Sequence, residues 1–162
     1  MKKILLFVFY IAISCHVSTV KAQGNADALM KQGQEFLANK EYVKARSTFL
    51  HAFNAFVAKG QSDKATYCGT RVASLYYREN YYKEAFDILR AADQCIVQRE
   101  QRNNSQRPDL RYATTKERLQ MYTRMRKASS AAEQISRLDA YANAAANDSL
   151  NKDLLYTKAS HY

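Results

Sequence analysis

Two stretches of the chain carry one and the same pattern. Gly33-x-x-Phe36, Tyr42, Ala45, Phe49 and Ala52 are answered by Ala73-x-x-Tyr76, Tyr82, Ala85, Leu89 and Ala92, every pair differing by 40 in number. Small residues match small ones and large apolar residues match large apolar ones. A self-match of this kind marks a stacked helical repeat, in which each unit is too small to bury its own apolar face and must cover it with the next. The expected fold is therefore all-α, built of antiparallel helix pairs, and the architecture points to a binding scaffold rather than an enzyme.

Segment 1–22 reads as a secretory signal. Lys2 and Lys3 precede an uncharged apolar run from Ile4 to Ser14, and Val20-Lys21-Ala22 offers a cleavage site ahead of Gln23. The run is short for a bilayer span and suits a signal peptide. A second reading is lipoprotein processing, with cleavage before Cys15 and lipid attachment to it. Either way the product is exported, to a periplasmic location. Membrane association is expected only through lipidation of Cys15 or a further C-terminal segment.

The mature part, 23–162, is long enough for one domain. Loss of Lys2, Lys3 and Lys21 takes the formal charge from +10 to +7. With four glycines and one proline in the chain, and abundant Ala, Leu, Lys, Arg, Glu and Gln, it is a strong helix former. The first helix is expected from Asn25 or Asp27, the second from Tyr42, the third from about Asp63 to Arg78 and the fourth from Tyr81 to about Gln101. Gly33 and Ala45 should let the first two helices approach closely, with Phe36, Tyr42 and Phe49 filling the space between them. Arg102 to Arg107 reads as a polar loop closed by Pro108, which suits the first turn of a helix. A fainter third pair places Leu119 and Tyr122 where the second has Ala73 and Tyr76, backed by Ala128, Ala131, Ile135 and Leu138. Ala159-x-x-Tyr162 restarts the pattern, so the domain is expected to be incomplete at its C-terminus.

The pattern Gly-x-x-aromatic, turn, Tyr-x-x-Ala-x-x-x-Phe-x-x-Ala resembles the tetratricopeptide repeat, whose usual period is about 34 residues. The period here is longer by roughly one helical turn, and the consensus tryptophan and terminal proline are missing. The resemblance implies an α-solenoid of about three repeats plus the start of a fourth. Joined to a secretion signal, the pattern also resembles the exported sensor regions of Bacteroidota histidine kinases and related regulators. That resemblance implies the ligand-sensing part of a membrane signalling protein. The alternative is a free-standing periplasmic or lipoprotein adaptor with no signalling output.

No chemistry-bearing motif stands out. His16, His51 and His161 form no metal-ligand spacing, no Cys-x-x-Cys occurs, and there is no Gly-rich phosphate loop or nucleophile elbow. No cofactor, no metal and no catalytic residue are expected. Cys68 and Cys95 fall near ends of the third and fourth helices that meet in an antiparallel hairpin. A disulfide there would close the loop 68–95, worth about 3 kcal/mol in the chain-entropy model. The competing reading is two small buried thiols.

Basic charge is concentrated between Arg99 and Lys127, where nine cations face three acids. Export disfavours nucleic acid as the partner. The run reads either as a solvated face or as a docking surface for an acidic protein or peptide, or an anionic envelope ligand. Arg111 and Arg118 within it are candidate partner-binding residues. Tyr77 and Tyr81 join them, because Tyr76 and Tyr82 occupy the packing positions and leave their neighbours free to point outward.

Overall fold

The computed structural model describes residues 25–161, all in helices or short turns. The signal segment with Cys15 and His16, and the terminal Tyr162, lie outside the described residues. Among the described residues seven helices follow one another: α1 (25–38), α2 (Tyr42–Ala58), α3 (Ser62–Arg78), α4 (Tyr82–Asn103), α5 (Pro108–Arg124), α6 (Ala128–Ala145) and α7 (Asp148–His161). No strand occurs among them.

One turn is used again and again. Lys40, Gly60, Asn80 and Arg126 each adopt a left-handed backbone, with φ of 61°, 65°, 67° and 56°. Each N–H bonds back three residues, and the following N–H bonds back five, to the carbonyls of Phe36, Phe56, Tyr76 and Tyr122. This pair of bonds satisfies carbonyls that a helix end otherwise leaves bare. The residue after each turn already accepts the first bond of the next helix, from Ala45, Ala65, Ala85 and Ala131, all fully buried. An aromatic residue, a left-handed turn and a buried alanine thus recur in each single helix-to-helix step up to Ala85, at half the period visible in the sequence. After α4 the polar insertion lengthens the step.

That insertion is shorter than expected. Arg102 and Asn103 complete α4, Asn104 ends it with φ 46°, and only 104–107 are irregular before Pro108 opens α5. Arg107 fixes the segment by bonding Asp109 at 2.6 Å and Asp63 of α3 at 2.8 Å.

From α2 onward each helix packs on its neighbour, α1 meets α2 where Gly33 faces the Phe49 ring, and α5 lies against both α3 and α4. A first core of Phe49, Phe53, Phe56, Val72 and Leu75 runs through α1 to α4. A second, of Tyr112, Leu119, Ile135, Leu138 and Leu154, joins α5 to α7. Met121 of α5 connects them by packing with Ala73, Ala85 and Leu89. Close approach has its expected cause at Gly33, where an added Cβ would stand 3.0 Å from the Phe49 ring. Gly69 plays the same part between Phe53 and Ala92, at 3.1 and 3.2 Å. In the third pair Ala131, Ile135 and Leu138 are buried as expected, whereas Ala128 is exposed.

Candidate ligand groove on the odd-numbered helices

Side-chain bonds link odd-numbered helices to one another. Lys64 bonds Asp27 at 2.6 Å and the Gln34 amide donates to the Tyr67 hydroxyl at 3.0 Å, tying α1 to α3. Between α5 and α7, Asp153 accepts from Tyr112 at 2.8 Å and from Lys116 at 2.5 Å. Side by side, these helices leave two adjoining depressions. One, of about 580 Å³, is lined by α1, α3, the start of α2 and Arg124. The other, of about 620 Å³, lies between α5 and α7. Tyr77 and Arg124 line both, so the two form one groove.

The groove's arginines are held in a particular way. The Arg78 guanidinium lies 3.9 Å from the centre of the Tyr42 ring, Arg71 lies 5.2 Å from that of Tyr67, and Arg124 lies 5.2 Å from that of Tyr77. A guanidinium over a ring face is attracted by the ring quadrupole and keeps its donors free at the edge. None of the three forms an ion pair with a carboxylate among the described residues. Glu117, on the α5 flank that faces α3, feels the charges of Arg71 and Lys116. Burial nevertheless dominates and pushes its carboxyl up to about 7, so it carries only part of a negative charge at neutral pH.

The four candidate binding residues are not brought together. Tyr77 sits in the groove and meets the Tyr82 ring edge-on at 6.2 Å. Tyr81 stands at the α3–α4 turn, 51% exposed, with its ring 6.3 Å from that of Tyr76. Arg111 is bound to Glu100 by two hydrogen bonds, one of 3.0 Å, and so ties the start of α5 to the end of α4. Its partner Glu100 is held below the usual carboxylate range by those bonds. Arg118 pairs with Asp93 of α4.

Much of the basic run behaves the same way. Arg99, Arg107, Arg111, Lys116 and Arg118 all have carboxylate partners, and Asp63, Asp93 and Asp153 come from outside the run. A linear charge count missed this, because the neutralising acids are distant in sequence. Arg71 and Arg78 were missed for the opposite reason: their density is ordinary, and only their spacing of seven places them on one face of α3.

Cys68 and Cys95 are free thiols, both buried. Both belong to the first core. Desolvation, reinforced by the charge of Asp27, pushes the Cys68 thiol up to about 12, and desolvation also raises Cys95. Neither is a nucleophile in this state. Among the described residues no three His, Cys, Asp or Glu side chains converge as metal ligands, and no helix is long and apolar enough to cross a membrane.

Comparison with known proteins finds no matching family model, no matching curated protein and no matching solved structure.

Proposed function

We propose that this chain is a protein- or peptide-binding helical-repeat scaffold, a tetratricopeptide-like solenoid of three repeats and the first helix of a fourth. Its role is to hold a ligand, not to transform one. The observation that carries the reading is the groove, shared through Tyr77 and Arg124 by every odd-numbered helix. Its tyrosines suit this role, since a Tyr ring contributes a large contact area at small cost in conformational entropy. The repeated turn supports the solenoid reading, because like turns at equal spacing from Lys40 through Gly60 to Asn80 stack the helices they join in register.

The test is selection of peptides from a random display library on the purified domain, followed by amide chemical-shift mapping. Shifts concentrated on α3, α5 and α7 around Tyr77 and Arg124 are expected. Binders that map only to the outer faces of α2, α4 and α6 would sink the proposal.

We further propose that the scaffold is the exported, ligand-sensing part of a membrane signalling protein. The resemblance in the repeat pattern and the signal-like segment 1–22 support this. Fractionation of the native product with an antibody decides it. A band well above 18.6 kDa in the inner membrane is the expected result. A soluble periplasmic band at the mature mass would favour the free-standing adaptor instead.

A further inference from the structure

Among the described residues twelve lysine and arginine side chains form ion pairs with carboxylates, and three that do not stand together. Arg71, Arg78 and Arg124 are exposed, form no ion pair with a carboxylate among the described residues, although Arg71 lies within the field of the part-charged Glu117, and line one depression. Each lies over a tyrosine ring, a contact that favours one direction of the guanidinium and so lowers the side-chain entropy lost on binding. We propose that this depression is an anion-reading site for an extended acidic peptide, whose carboxylates bond Arg71, Arg78 and Arg124 while its carbon skeleton lies on Tyr42 and Tyr77. The inference rests on the scaffold reading and adds the class of ligand.

Spacing argues for an extended chain over a single small anion. Arg71 and Arg78 are seven residues apart on α3, about 10 Å at 1.5 Å per residue. Extended backbone covers that in about three residues at roughly 3.3 Å each. One strand can therefore bring a separate acidic side chain to each arginine. Guanidinium groups suit the task because their fork accepts a carboxylate by two parallel bonds.

Lining argues for a peptide over a uniform polyanion. Leu37, Leu75 and the rings of Tyr42 and Tyr77 share the depression with the arginines, and a polymer of charge alone has nothing to lay against them. Such a polymer would bind the solvated Arg126 and Lys127 at the α5–α6 turn equally well.

The test uses a fluorescein-labelled peptide of alternating Glu and Tyr, its counterpart with Gln for every Glu, and heparin as a polyanion. Anisotropy titrations compare the unaltered domain with Arg71→Gln/Arg78→Gln/Arg124→Gln and with Arg126→Gln/Lys127→Gln, each checked for an unchanged helical spectrum. The acidic peptide is expected to bind the domain about tenfold or more tightly than the Gln peptide, to weaken with added salt, and to lose that advantage in the first variant only. Should the triple variant lose helicity, Arg78→Gln and Arg124→Gln taken singly supply the same comparison, each with a smaller loss.

Equal binding of acidic and Gln peptides, with shifts at Tyr77, would overturn the acidic preference and leave the scaffold standing. No groove shifts with either peptide would overturn both. A loss as large in Arg126→Gln/Lys127→Gln, or heparin bound in preference to the acidic peptide, would replace the peptide by a polyanion held by diffuse charge.

Discussion

The two halves of the molecule use the same turn but different material between the turns. In α1 to α4 the carbonyl that closes each turn belongs to Phe36, Phe56 or Tyr76, and the core behind it is dense with Phe49, Phe53 and Phe56. In α5 to α7 the pattern holds once, at Tyr122 and Ala131, and then lapses. Ala142 stands where the aromatic residue belongs and Asn151 where the buried alanine belongs. Leu154 is the one buried residue of α7. Polar bonds take over: Asp153 to Tyr112 and Lys116, Lys158 to Asp139 at 2.6 Å, and the Thr123 hydroxyl to His161 at 3.2 Å. The layers that carry a turn aromatic and a buried alanine are thus the ones with the larger apolar core. Where that pairing is missing, adhesion depends on bonds that water and salt can contest.

The largest difference between the halves lies at Phe49. Phe49→Ala empties the centre of the first core and also removes the ring that fits Gly33, with an expected loss of about 3–5 kcal/mol. Leu154→Ala, at the margin of the second core, should fall near the low end of the leucine range, about 2 kcal/mol. Urea unfolding of both variants measures the contrast, and equal losses would erase it.

Next in size is the polar attachment of α7. Asp153→Asn replaces a charged acceptor of three bonds by a neutral amide, for an expected loss of about 1–3 kcal/mol. The loss should be local. Hydrogen exchange is expected to speed up in α7 and leave α2 to α4 unchanged. Uniform acceleration along the chain would mean that α7 is no looser than the rest.

Glu117 lies at the seam between the halves, where α5 meets α3. Its carboxyl, with a reference value of 4.5, is raised to about 7 by burial, so the folded state keeps a proton that the unfolded chain has already released. Below about 4.5 both states are protonated and the stability is complete. As pH rises from there through 7 stability declines, and it levels off above. Glu117→Gln, neutral throughout, should flatten that decline and raise stability at pH 8 by on the order of 1–3 kcal/mol. Melting temperature against pH is the measurement. A variant with the same slope would show that the decline belongs to other groups.

Helix content, the core positions Ala45, Phe49, Ala85 and Leu89, and the place of Pro108 were all legible in the sequence, because periodicity records which residues face inward. The groove was legible only through Tyr77. Whether a surface cation is free depends on acids brought beside it by the fold, as Asp93 is to Arg118 and Glu100 to Arg111. No linear reading places those partners. Nor does side-chain type reveal the left-handed turn residues. Gly60 and Asn80 suit that backbone, but Lys40 and Arg126 carry no such signal, and so the single-helix interval stayed hidden inside the helix-pair one.

That mismatch supplies the smallest test, because the turn is common to both halves. A left-handed backbone costs an L-residue roughly 1 kcal/mol that glycine does not incur. Arg126 is exposed and has no ion pair among the described residues, so its side chain contributes little to offset that cost. Arg126→Gly should therefore stabilise the fold by somewhat less than about 1 kcal/mol, since glycine also gives the unfolded chain more freedom. Gly60→Ala should destabilise it by about 1 kcal/mol. It also sets a Cβ 2.9 Å from the Arg102 guanidinium, which can swing aside. Opposite signs in paired urea titrations would establish that the two halves share one turn and differ only in what packs between the turns. A loss at both positions would mean that the turns are held by their side chains, and the equivalence of the halves would fail at its base.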